Sequence, residues 1–239
     1  MIVGIHQPHY FPWLGYLDKI AKSDCFVVLD QVQFEKGSQM IRNRVLDNNG
    51  EIKYLTVSAD TKGFLEKEYR EIIVKDRDRW IGDHWSALRN YYRKAPYREE
   101  VLALLEGFFQ NRFETLFEWT FESVKLLCGV LGIETPLLLQ SDVEYDRSGR
   151  KSGLVLEICQ ALSADTYLSG RGGSVKYLDL DEFRRNGIEV RFQDFQHPVY
   201  PQCQSAEFVP GLSSLDALFN CGLRGTRDLF RKNLNNEGS

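Results

Sequence analysis

The sequence predicts an α/β fold: a three-layer, mostly parallel, Rossmann-like sheet interrupted by a β-hairpin and a helical insertion. Three observations carry this. The chain opens on an apolar run, Ile2, Val3 and Ile5, that empties into the polar loop His6-Gln7-Pro8-His9-Tyr10-Phe11-Pro12-Trp13. A helical pattern and a second apolar run, Cys25-Phe26-Val27-Val28-Leu29, come next. A strand, helix, strand unit of this length is almost always a right-handed parallel crossover. After a long insertion the same alternation returns over residues 135–192.

Taken in order, residues 13–22 place Leu14, Leu17, Ile20 and Ala21 at helical spacing, and Ser23-Asp24 stops them. Residues 39–46 and 51–58 flank Asp47-Asn48-Asn49-Gly50, whose Asn-Gly end signals a hairpin laid beside the sheet or over its end. Alternation sends Arg42 and Arg44 to one face of its first arm and Asn43 to the other. A short strand is expected at 72–74. Residues 76–94 form a helix with Trp80, Trp85, Leu88 and Tyr92 on one face, ended by Ala95-Pro96. Helix continues over 98–131, broken near Asn111-Arg112, with Gly129 and Gly132 at its end.

The later pattern is a strand at 135–140, a helix at 154–162 and a strand at 166–168 that runs into Ser169-Gly170-Arg171-Gly172-Gly173. A helix at 181–186 stopped by Gly187 and a strand at 189–192 follow. The closing helix, 212–219, has Ser213 and Ser214 as cap candidates and Gly222 as its stop. Residues 233–239 are polar and expected to fray. The whole reads as one α/β domain, 1–239, with an insertion at 38–132: hairpin 39–58, then helices 76–132.

With 43% apolar and 27% charged residues and a net charge of -4, the composition is that of a globular protein without a broad basic face for nucleic acid. No apolar run reaches the roughly 18 residues of a membrane span, and the start lacks a signal-peptide layout, so a cytoplasmic location is expected. The five cysteines, Cys25, Cys128, Cys159, Cys203 and Cys221, are scattered without a C-x-x-C pair. That spacing fits neither a disulfide framework nor a zinc knuckle and suits small buried hydrophobes. Cys203, in a polar stretch near His197, is the candidate nucleophile.

In open α/β sheets ligands bind outside the carboxyl ends of the strands, at the point where strand order reverses. The His6 loop and the loop at either Gln140 or Ser169 are therefore expected to open on one cleft. Histidine exchanges protons near neutral pH, so His6 and His9 are the candidate acid-base groups, unless one of them only holds the loop. Gln7 offers a donor and an acceptor, and Asp30 with Gln31 and Gln33 lies just past the second strand. Ser169-Gly170-Arg171-Gly172-Gly173 reads as an anion nest with a guanidinium in it, or as a plain tight turn. Arg42 and Arg44 would neutralise a phosphate or solvate a sheet face. Trp80, Trp85, Tyr91 and Tyr92 would stack on a sugar or a base, but their helical spacing favours the core. No third ligand accompanies the histidines in sequence, so no metal is expected unless the fold brings His197 or Asp30 to them.

The opening His6-Gln7-Pro8-His9-Tyr10-Phe11-Pro12-Trp13-Leu14-Gly15-Tyr16, with Asp30-Gln31-Val32-Gln33-Phe34 and Arg42-Asn43-Arg44, resembles the WbqC-like family of bacterial proteins. So do Tyr167-Leu168-Ser169-Gly170, Phe192-Gln193, His197-Pro198-Val199-Tyr200-Pro201-Gln202 and Leu212-Ser213-Ser214-Leu215-Asp216. The resemblance spans nearly the whole chain. It implies a role in surface-polysaccharide (O-antigen) synthesis, where some members are assigned as glycine or aminoacyl transferases acting on amino sugars. A weaker resemblance is to the nucleotidyl-transferase type of α/β fold, as in pantothenate synthetase, whose H-x-G-H motif holds ATP phosphates at a helix N-terminus. Here Leu14-Gly15-Tyr16 keeps the glycine, while Trp13 and Tyr16 stand where those histidines would be.

The function these readings imply is N-acyl (glycyl or aminoacyl) transfer, or amide ligation, on a nucleotide-linked amino sugar. His6 or His9 would take the amine proton, and Gln7 and Asp30 would orient the amine. Asn43 or Tyr10 would steady the oxyanion, and Arg42, Arg44, Arg171 and the Gly170, Gly172 and Gly173 backbone would hold phosphates. The donor would be an aminoacyl-tRNA, an acyl adenylate made from ATP, or a thioester. Exposed aromatics would supply a homodimer interface. The alternatives are a sugar-nucleotide-binding accessory protein without catalysis and a hydrolase built on Cys203 and His197.

Overall fold

Apolar residues at every other position of the first strand, β1 (Ile2–His6), send Val3 and Ile5 to one face. The computed structural model describes residues 1–236, apart from the side chains of Ser174, Val175 and Asn236. Helix α1 (Leu14–Ala21) and the wholly buried β2 (Cys25–Val28) complete the expected first crossover, with β1 and β2 parallel. The hairpin follows as β3 (Arg42–Leu46) and β4 (Ile52–Thr56). Its turn is built as the sequence predicts: Gly50 takes φ 77°, and Asp47 Oδ1 accepts from the Asn49 and Glu51 amides. These two strands form a sheet of their own.

Helices α2 (Arg77–Tyr91), α3 (Arg98–Phe109) and α4 (Leu116–Leu131) come next. The break near Asn111 is enforced by a capping box at the start of α4, where Thr115 and Glu118 satisfy each other's backbone amides. The expected strand at 72–74 is reduced to isolated bridges, Ala59 with Val74 and Ile73 with Thr115. The chain then forms β5 (Leu137–Leu139), α5 (Ser152–Ala161), β6 (Thr166–Ser169), α6 (Leu180–Arg185), β7 (Glu189–Phe192) and α7 (Ser214–Asn236). Gly222 does not end α7 but kinks it, with φ 77° and ψ 170°, and helix resumes beyond. Of the tail expected to fray, residues 233–236 are thus helical, and 237–239 lie outside the described residues.

The chain divides into two compact units. The first holds residues 1–7, 18–32 and 133–195, and the second residues 8–17, 33–132 and those from 196 onward. The insertion thus shares its unit with the polar loop after β1 and with α7.

The first unit contains a five-stranded sheet in the order β5-β2-β1-β6-β7, parallel at every pairing. All its carboxyl ends therefore share one edge. β6 is the direct neighbour of β1, whereas β5 lies at the outer edge beside β2. Val3, Ile5, Val27 and Tyr167 on one sheet face pack with Val155, Leu156, Ile158 and Cys159 of α5 and Phe183 of α6. On the other face Gly4 must be bare, since a Cβ there would lie 2.6 Å from the Phe26 ring.

The second unit is organised by aromatic rings. Trp119 is fully buried and meets Trp80 edge-on at 5.0 Å and Phe108 at 5.4 Å. Tyr92 stacks on Phe219 of α7 at 4.1 Å. Trp80 and Tyr92 are therefore core residues, as their helical spacing favours.

Candidate functional site

At the carboxyl edge of the parallel sheet, half-buried His6 ends β1. Its Nδ1 lies 2.9 Å from the Gln7 carbonyl oxygen. A carbonyl only accepts, so Nδ1 carries the proton and Nε2 holds the lone pair. Burial, with a smaller contribution from the Lys19 ammonium, lowers the imidazole to about 4, which leaves it neutral at pH 7.

Lys19 of α1 is the least expected member of this edge. Its side chain is buried, donates from Nζ to the Ile5 carbonyl at 2.8 Å, and lies within 6 Å of the Phe26 and Tyr167 ring centres. Burial brings the ammonium down to about 7. Its neighbour Asp18 is fully buried, pairs with Lys22 at 3.0 Å and accepts from Gln193 Nε2 at 2.5 Å. The sequence carried a signal for Asp18, which sits four residues after Leu14, inside the apolar stripe of α1. Nothing comparable marked Lys19.

Past β2, buried Asp30 accepts from the Ser141 amide at 3.0 Å. Gln31 is held at both ends, its amide by Gln140 and its side chain by Arg147. Past β6, Ser169 is fully buried and Arg171 is exposed, donating to the Gln193 carbonyl at 3.0 Å and facing Asp194 at 3.6 Å. None of Gly170, Gly172 and Gly173 takes the left-handed backbone that an anion nest uses, and a Cβ on any of them would meet open space. The turn accordingly offers Arg171 rather than a ring of inward amides.

In the second unit the loop of residues 8–13 is fixed by a set of polar clamps. Asn43, 3% exposed, donates from Nδ2 to the Tyr10 and Phe11 carbonyls at 3.0 and 2.8 Å, while its Oδ1 accepts from the Arg44 amide. Ser213 Oγ donates to Phe11 O at 2.7 Å and Ser214 Oγ to Pro12 O at 2.6 Å. Ser123 Oγ accepts from the Phe11 amide at 2.9 Å. These bonds hold Phe11 at φ 40°, a conformation that an L-residue keeps only when its surroundings over-determine it. Tyr10 is fully buried, its hydroxyl 3.1 Å from His84 Nδ1. Tyr10 and Asn43 are thus committed within the fold, as supports of the loop.

His9 is buried against the Tyr16 ring at 4.9 Å. His197 stacks on Trp13 at 6.3 Å and is lowered by burial. Its loop is tied down by Asp216, a fully buried carboxylate that accepts from Tyr92, Tyr200 and Gln202, each at 2.9 Å. Sequence reasoning left Asp216 without a role and gave Ser213 and Ser214 a capping one. Their clamps reach residues far away in sequence.

Burial alternates along β3 as expected, with Arg42 and Arg44 half-buried and Asn43 buried, and all three line a cavity of about 230 Å³ with Gly37, Ser38, Gln39 and Tyr54. A cavity of about 520 Å³ lies elsewhere in this unit, along Ile73, Arg77, Arg112 and Phe113, and none of the residues named for chemistry lines it. Gln33 is exposed and donates to Leu65 O at 3.3 Å. Cys203 is exposed, but burial of its thiol and the nearby Asp216 push its pKa up, against what a nucleophile needs. Among the described residues no group of three or more His, Cys, Asp or Glu is placed to hold a metal ion, and no helix is long and apolar enough to cross a membrane.

A sequence description of the WbqC-like protein family matches residues 7–228. An uncharacterized protein of Mycobacterium tuberculosis is 32% identical over 222 residues, covering 92% of this chain and 94% of that protein. No solved structure matches the chain.

Proposed function

This chain belongs to the WbqC-like protein family, and we propose that it forms an amide on the amino group of a nucleotide-linked amino sugar, by glycyl or aminoacyl transfer in surface-polysaccharide synthesis. One observation carries the reading: a neutral imidazole at the carboxyl end of β1, with Nδ1 committed to a backbone carbonyl and the lone pair on Nε2.

When the amine attacks an activated acyl carbon, the C–N bond forms, the bond to the leaving group breaks with its electron pair, and the nitrogen gives up one proton. His6 Nε2 accepts that proton. The strand order supports this position. Ranked along the sheet's own strands it is 3-2-1-4-5, an order shared with doubly wound sheets, in which ligands lie outside the carboxyl ends where strand order reverses, here where β1 adjoins β6. Asp30 and Gln7 lie on the same edge and orient the amine, and Arg171 meets a phosphate of the sugar nucleotide.

The low basicity of His6 favours a second reading. A general base works best with a pKa near the operating pH, and about 4 is well below it. A sugar-nucleotide-binding protein without catalysis has no such requirement.

Mass spectrometry of nucleotide-linked amino sugars incubated with the protein separates the two, with glycine plus ATP in one arm and glycyl-tRNA in the other. Amide transfer predicts a glycyl mass gain that needs the protein and is lost in His6→Gln while sugar-nucleotide affinity is retained. No gain in either arm, with the same sugar nucleotide bound by both proteins, rejects transfer and supports the binding role.

A further inference from the structure

Arg42 and Arg44 are half-buried cations with no carboxylate partner among the described residues. In the same unit Lys53, Arg70, Arg77 and Arg98 each pair with an acidic side chain, and half-buried Arg227 donates singly to the Val130 carbonyl; Arg42 and Arg44 differ in standing together beside a cavity. Partly buried charge is normally neutralised locally, so two adjacent guanidinium groups left unneutralised beside a cavity point to an anion that arrives from outside.

Both groups are held in place before any ligand binds. Arg42 lies over the Tyr54 ring, 4.3 Å from its centre, and spends only its Nε on the Gly37 carbonyl at 2.9 Å. Arg44 donates from Nη2 to the Gly211 carbonyl at 2.6 Å. Gly211 makes room for it: a Cβ there would lie 2.7 Å from that nitrogen. The outer guanidinium nitrogens of Arg42 and Nε and Nη1 of Arg44 remain for a ligand. The cavity they line, about 230 Å³, also presents Ser38 and Gln39. It is smaller than the roughly 300–1,000 Å³ of pockets that take a whole small molecule, so it suits an end group. A carboxylate has acceptors enough for one guanidinium fork, whereas a diphosphate has terminal oxygens enough for two.

We propose that the Arg42–Arg44 pocket binds the diphosphate group of a small-molecule ligand. It lies within the second unit and needs neither His6 nor any acyl chemistry, so it stands or falls apart from amide transfer.

Pyrophosphate is the probe, titrated calorimetrically into the whole chain at low salt, with acetate at equal ionic strength as the control. Pyrophosphate binds and acetate does not. Arg42→Met and Arg44→Met each weaken binding about ten- to a hundredfold, the loss expected for charge-assisted hydrogen bonds. Arg42→Lys keeps the charge and still weakens binding, because the fork is gone. Gly211→Ala weakens it by displacing the Arg44 guanidinium, and Arg184→Gln, at an exposed pair with Asp181, leaves it unchanged. Each variant is first shown to unfold at the wild-type temperature without ligand, and Arg42→Lys decides the matter if either methionine variant fails that check. The proposal is overturned if wild type does not bind pyrophosphate, if Arg42→Lys binds as wild type does, or if the loss is as large in Arg184→Gln.

Discussion

Replacing Asn43 by aspartate keeps the shape of the side chain and reverses its hydrogen bonding. The two bonds that Nδ2 donates, at 3.0 Å to Tyr10 O and 2.8 Å to Phe11 O, become oxygen-to-oxygen contacts at a site that is 3% exposed. If the new carboxylate stays ionised, it is a buried charge facing two carbonyls, which costs about 3–5 kcal/mol. If it protonates instead, one donor returns. Holding the proton at pH 7 against an ordinary carboxyl value of about 3.9 then costs about 1.36 kcal/mol per pH unit, or some 4 kcal/mol. Both routes converge, and the loss is a large share of the 5–15 kcal/mol that stabilises a typical domain.

The sign of the pH dependence follows. Aspartate at this position has a raised folded-state pKa, so the folded protein binds more protons than the unfolded chain, and stability falls as pH rises from about 4. Asn43→Ala removes the bonds without adding charge, and costs about 2–3 kcal/mol at every pH. Urea unfolding of the three proteins at pH 5 and pH 8 reads the difference. Asn43→Asp within about 1 kcal/mol of wild type at pH 8, or the same deficit at both pH values, would refute the view that Asn43 clamps the loop.

Gly15→Ala would raise helix propensity, yet its Cβ would lie 2.3 to 2.7 Å from the Trp13 indole. It should therefore destabilise by about 1–3 kcal/mol and remove the ring-current shift that Trp13 imposes on His197, seen by thermal unfolding and proton NMR. Lys19 titrates at about 7 when folded and 10.5 ordinarily, so the unfolded chain binds more protons between those values and stability rises with pH across that window. Lys19→Met should abolish this rise in urea unfolding from pH 7 to pH 10. Asp216 is raised above 3.8 by burial despite its three donors, so its ionisation removes stability as pH rises through its folded value. Asp216→Ala leaves those donors unpaired and should cost about 3–5 kcal/mol by chemical unfolding.

The strands of the parallel sheet were legible because buried apolar runs such as residues 25–29 carry their signal locally, and the Asn-Gly turn did the same for the hairpin. What was illegible depends on distant partners. Gly222 reads as a stop because glycine commonly follows the last helical turn, and its backbone is non-helical. Helix resumes beyond it all the same, and a Cβ there would lie 2.6 Å from the Tyr97 ring. Ser213 and Ser214 look like caps, yet their hydroxyls reach Phe11 and Pro12, 202 residues away. Lys19 looks solvated because helical periodicity places it opposite the apolar stripe, but its ammonium turns back to the end of β1. The glycines at 170–173 suggested a nest by composition, whereas a nest is defined by backbone angles that glycine permits and does not impose.

The most direct test of the account is the titration of His6 followed by nitrogen-detected NMR on selectively labelled protein, which reports both its pKa and its tautomer. The structure predicts the Nδ1-protonated neutral form at pH 7, persisting until about pH 4, with the midpoint moving up in Lys19→Met because the nearby cation is gone. An imidazole that titrates near 6.5, or one that carries its neutral proton on Nε2, would contradict the assignment of His6 as the group that accepts the amine proton.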